Sequence, residues 1–157
     1  MQHISQAKRS LKLKLEREMP TMLQRGDLEA GDGITSEIPY RIHTSEKNSL
    51  DGYPAIELAV QRSEPVGDSN AQVYAHHGVA GITLVGDTEE ELVVRVERMI
   101  WAIRQVFAES LLAPDPSCGP IIPGMEGYGL LQTNVTGIEY PFVKGAYIEW
   151  TMNTVGP

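Results

Sequence analysis

The chain has 157 residues, 41% hydrophobic and 22% charged, enough to bury one core, and one domain spanning 1–157 is expected. Its apolar runs stop short of the roughly 20 residues a membrane span needs, its basic N-terminal stretch lacks the apolar core of a signal peptide, and its single cysteine, Cys118, rules out an intrachain disulfide and suits a reducing compartment. The formal net charge of −8 hides a split: residues 1–25 hold six Lys or Arg against two acids, and residues 26–157 hold seven against nineteen, so the body should repel nucleic acid while the N-terminal segment either docks on an acidic surface or stays a solvated helix face.

Ile4, Ala7, Leu11, Leu15 and Met19 keep helical spacing and predict a first helix over 3–19. Pro20 should end or kink it, or open a short second helix. Residues 26–36 read as a turn-rich connection. A short strand is expected over 37–43, at a sheet edge because Pro39 cannot donate to a ladder. A polar loop over 44–52 closes on Asp51-Gly52. Residues 55–62 alternate, with Ile56, Leu58 and Val60 on one face and Glu57 and Gln61 on the other. After a turn or excursion at 64–68, residues 71–85 form a long strand, bent at Gly78 or Gly81 if a glycine marks a bulge there.

That strand runs into the strongest pattern in the chain, a helix with Leu92, Val96, Met99, Ile103 and Val106 along one face, widened by Val93, Ile100, Trp101 and Phe107. Thr88 and Glu91 have the spacing of a capping box, and Glu89 to Glu91 suit the positive end of the helix dipole. Residues 113–137, with four prolines and five glycines, exclude a long regular element. Ile121, Ile122, Met125, Tyr128, Leu130 and Leu131 make this loop apolar, so it either covers the core or reaches a partner, and the partner is favoured. Short strands close the chain at 138–143 and 145–154. The predicted fold is α+β: a two-layer sandwich, a mostly antiparallel sheet of about five strands with the N-terminal and central helices on one face.

Few residues converge on chemistry. His76 and His77 are adjacent in a strand and point to opposite faces, so they do not chelate one ion; His3 and His43 have no local partner. Cys118 sits in a Pro/Gly loop without a nucleophile signature. Gly86-Asp87 leads into acids that would repel phosphate. Glu57 and Glu149 could act as a general acid/base pair if their strands were neighbours; otherwise both face solvent. No metal, cofactor or catalytic residue is expected.

The order of elements, carried by QAKRSLKLKLEREM, AIELAVQR, ITLVGDTEEELVVRVERMIWAIRQVF and GIEYPFVKGAYIEWTMNT, resembles the tail terminator, or tail-completion, proteins of long-tailed bacteriophages, with neck and head-tail connector proteins close by. The resemblance implies a non-enzymatic virion subunit, assembled in the host cytoplasm. It implies a homo-oligomeric ring, commonly hexameric, that caps the tail tube, meets the head-tail connector and lets DNA pass through an acidic lumen without specific binding. Candidate subunit or partner contacts are Lys8, Arg9, Lys12 and Lys14 on the first helix, and Ile121, Ile122, Met125 and Tyr128 in the loop. The competing expectations are a small α+β enzyme or ligand-binding domain using Glu57, Glu149 or a histidine, and a generic oligomeric adaptor.

Overall fold

The computed structural model describes residues 2–39, 41–45, 52–67, 72–109, 114–133 and 141–155. Most of the expected 44–52 loop, including Asp51, and the expected strand start at 138–140 lie outside them.

The first helix, α1 (Gln2–Ala30), continues through Pro20, beyond the expected end at residue 19. Its buried stripe of Ala7, Leu11, Leu15 and Met19 continues into Met22 and Leu23, so packing extends the helix across the proline. The missing proline N–H would have bonded the carbonyl of Glu16, an exposed residue whose carbonyl water can serve. Gly26 belongs to the helix rather than to a turn: a Cβ there would lie 2.9 Å from the Trp101 ring. The helix ends at Gly31, whose φ of +59° is the left-handed cap conformation that favours glycine; its N–H donates to the Asp27 carbonyl at 3.1 Å.

Strand β1 (Arg41–His43) is shorter than expected, and Glu37–Pro39 has no regular structure. It lies at a sheet edge, as Pro39 suggested, parallel to β2 (Ala55–Pro65). Strand β2 pairs antiparallel with β3 (Val73–Gly86) and carries a bulge between Val60 and Arg62, opposite Gly78. The bend anticipated on β3 is therefore accommodated on its neighbour. Helix α2 (Glu89–Glu109) follows, with Leu92, Val96, Met99, Ile100, Ile103, Val106 and Phe107 buried as the periodicity requires. Thr88 accepts the Leu92 N–H at 3.2 Å, while the Glu91 carboxylate turns to Arg95 at 3.7 Å.

The Pro/Gly-rich segment holds two strands that local sequence did not suggest, β4 (Ile122–Tyr128) and β5 (Gln132–Thr133). Both pair with β6 (Phe142–Val155), one continuous strand where two were expected. Glycine permits this pairing: a Cβ on Gly127 would sit 2.5 Å from the Tyr147 ring. Pro123 is tolerated because β4 is an outer strand.

The sheet order is β1-β2-β3-β6-β4, with β5 beside β6, and every pairing but β1–β2 is antiparallel. The fold is α+β, with two helices packed on a mostly antiparallel sheet of six strands, one more than expected. Ile56 and Leu58, Ala80 and Ile82, and Ile148, Trp150 and Met152 meet the helices in one core. The sheet thus has two unlike outer strands, β1 on one side and β4 on the other.

Candidate subunit interface

Strand β4 is pinned to α2 from beneath. Arg104 reaches the Glu126 carboxylate at 3.3 Å and donates to the Gly124 carbonyl at 3.0 Å. The Tyr128 hydroxyl donates to Glu126 at 2.8 Å; burial, and then Glu126, push that hydroxyl up to about 12, so it stays a donor at neutral pH. Gly129 donates to the Gly145 carbonyl at 2.8 Å, and Lys144 donates to the Gly129 carbonyl at 2.6 Å. These bonds hold a Gly- and Pro-rich segment as a defined edge. Along it, Ile122 (49% exposed), Met125 (73%), Tyr128 (46%) and Leu130 (86%) are exposed, Ile122 on the open sheet face that Tyr147 of β6 shares and Tyr128 on the helix side. Large apolar side chains at such exposure along one edge are the usual composition of a contact surface.

Of the eight contact residues expected from sequence, the structure leaves most but not all accessible. Ile121 is fully buried in the chain's own core, and Lys14 is buried against Glu18 with the charges 2.7 Å apart. Lys8 donates to the Thr44 carbonyl at 2.9 Å and ties α1 to the end of β1. Lys12 lies 3.8 Å from Glu16, and Arg9 is exposed with its Nε on the Ser5 carbonyl at 3.3 Å. Arg9, Lys12, Ile122, Met125 and Tyr128 remain at the surface. The basic group and the apolar group are not brought together: Lys8 and Lys12 flank β1, and the apolar strip lies on β4 at the opposite edge.

A further feature escaped the sequence. Between α1 and β1 runs a groove of about 290 Å³, floored by Leu15, Met19, Pro20 and Ile42 and rimmed by Lys12, Glu16, Ile38, Pro39 and Arg41. Its only sequence signal was the Ile38-Pro39 pair, which reads equally well as the start of a strand.

The acid-pair reading is corrected by strand order. β3 lies between β2 and β6, with Glu57 level with Gly81 and Glu149 level with Val79, so the two carboxylates are on non-adjacent strands. His76 and His77 do point to opposite faces: His76 is fully buried, whereas His77 is partly exposed and lies 3.3 Å from Glu64. His3, which had no local partner in sequence, meets Thr154 Oγ1 at 3.2 Å and packs against Tyr74 with ring centroids 4.5 Å apart and the planes tilted by 43°. Thr154 Oγ1 is 2.8 Å from His76 Nε2, and His76 Nδ1 is 2.7 Å from Ser63 Oγ. This chain fastens the start of α1 to β2, β3 and β6. Among the described residues no group of His, Cys, Asp or Glu could hold a metal ion. Cys118 is buried, its thiol pushed up by burial and by Asp115, which disfavours a reactive thiolate.

His76 yields a pH prediction. Burial, and then His3 and His77, lower its pKa from the usual 6.5. The unfolded chain therefore takes up this proton first as pH falls, so its contribution to stability is whole above 6.5 and is lost as pH drops through the lower folded value. Urea midpoints should be lower at about pH 5.5 than at about pH 7.5, and His76→Gln should shrink that difference.

No protein-family model and no curated protein matches the chain. Among solved structures it is similar to a chain from the virion of a native gene transfer agent (GTA) particle, with 8% identity and a TM-score of 0.42, covering 89% of this chain and 93% of that chain.

Proposed function

We propose that this chain is a structural virion protein, resembling phage tail terminators, whose copies form a ring that caps the tail tube, meets the head-tail connector and leaves a channel for DNA. The observation that carries this reading is the β4 edge, where exposed apolar side chains sit on a strand held in place by Arg104. Surface built this way favours contact with protein over binding of a small molecule, which needs concave enclosure. Burial of Ile121 and Lys14 narrows the proposed contacts to Lys8, Arg9, Lys12, Ile122, Met125 and Tyr128. The acidic balance of residues 26–157 suits a lumen through which DNA slides, because phosphate would find little to hold it. The enzyme alternative loses the neighbouring Glu57–Glu149 pair and keeps only its histidine option, with His77 and Glu149 lining one shallow hollow.

Light scattering on the purified protein, alone and mixed with tail tube protein, tests the reading. A mass several times the 17.3 kDa chain is expected in at least one of the two samples. A single-chain mass in both would contradict it.

A further inference from the structure

The two unlike edges of the sheet suggest how copies meet. We infer that the chain associates head to tail, the apolar β4 edge of one copy seating in the α1–β1 groove of the next. The inference rests on the ring reading and assigns its surfaces.

Three observations carry it. First, β4 is a poor partner for itself through the backbone. Pro123 lacks an N–H, and a bulge between Pro123 and Glu126 interrupts the strand, features that block ladder extension. The contact must then come from side chains, and the strip offers Met125 and Leu130, the two most exposed. Second, the groove fits them. Its volume of about 290 Å³ and its floor of Leu15, Met19 and Ile42 suit one or two large apolar side chains, and methionine adapts readily to such a space. Third, the borders differ in net charge. Beside β4, Glu97, Glu126 and Glu149 outnumber Arg104 and Lys144. On the groove rim, Lys12 and Arg41 outnumber Glu16, which lies 3.8 Å from Lys12. Two β4 strips face to face would set a net acidic border against its own copy, whereas strip to groove sets it against a net basic one.

A contact between different surfaces is heterologous, so each copy has one of each left to offer and the assembly closes into a ring or runs on as a filament. A two-fold dimer would instead consume the same patch on both copies.

The test separates these geometries. Met125→Arg with Leu130→Arg disables the strip, and Lys12→Glu with Ile38→Asp disables the groove; the apolar members, Met125, Leu130 and Ile38, are well exposed, and thermal melts confirm that each variant folds. By sedimentation velocity the wild type should assemble and each variant alone should be monomeric. An equimolar mixture should give dimers and nothing larger, because only one strip–groove contact is then possible. Variants that assemble like the wild type would overturn this interface while leaving a ring with other contacts. Variants that are monomeric alone and stay so when mixed would overturn the head-to-tail geometry. A wild type that is monomeric at every concentration, alone and with tail tube protein, would overturn both the interface and the ring.

Discussion

Arg98→Ala should lower the unfolding free energy by about 1.5–3 kcal/mol, the range for losing hydrogen bonds to charged groups. Arg98 is buried on α2 and faces the end of α1. One guanidinium nitrogen donates to Asp27 at 2.8 Å and to the Ile34 carbonyl at 2.6 Å; the other donates to Asp32. Ser36 closes the knot, its N–H and hydroxyl donating to Asp27 at 2.9 Å and 2.6 Å. Burial pushes the Asp27 carboxyl up, but the bonds from Ser36 and Arg98 together outweigh it and hold the group below its usual range. Asp32 is held low chiefly by the Ile34 N–H. Removing the arginine leaves Asp27 held by Ser36 alone and removes the anchors of Asp32 and the Ile34 carbonyl. Arg98→Lys should fall between wild type and alanine, because an ammonium keeps the charge but not the planar fork. Urea titration reads both; an alanine variant with an unchanged midpoint would mean that the segment is held by other contacts.

The second large effect lies under Trp150. A Cβ on Gly78 would come 2.3 Å from the indole and 2.4 Å from the Ala59 carbonyl, so even alanine cannot fit without displacing backbone. Gly78→Ala should cost at least the ~1–3 kcal/mol typical of overpacking, and Gly78→Val should prevent folding. Trp150→Ala should cost about 3–5 kcal/mol, because the indole is among the largest buried side chains. The pair should be strongly non-additive. Trp150→Leu should recover part of the Gly78→Ala loss, because the smaller side chain vacates the space the new methyl enters. Chemical denaturation of the two singles and the double checks this; simple additivity would show that the carbonyl of Ala59, and not the indole, sets the limit.

Sequence disclosed the parts of this fold whose causes are local. Helix α2 was legible because its stripe is unbroken and its start is acidic, and β2 and β3 because they alternate. Pro20 misled because its cost is local while the benefit of continuing the helix, through Met22, Leu23 and Gly26 against α2, is tertiary. Strand β4 was hidden for the same reason: Gly127 reads as a breaker until Tyr147 is seen lying over it. Strand order is not a local property, so the possible Glu57–Glu149 pair had to wait for β3 to be placed between them. At the candidate interface the apolar strip was visible as residue type. The inward turn of Ile121 and the pairing of Lys14 with Glu18 were not. The groove needed the unstructured Ile38-Pro39 segment to be set beside α1.

Electron microscopy of the purified protein, alone and with tail tube protein added, measures the central claim most directly. Closed rings with a central hole are the predicted result. Only single chains or compact two-fold pairs, in both samples and at every concentration, would contradict it.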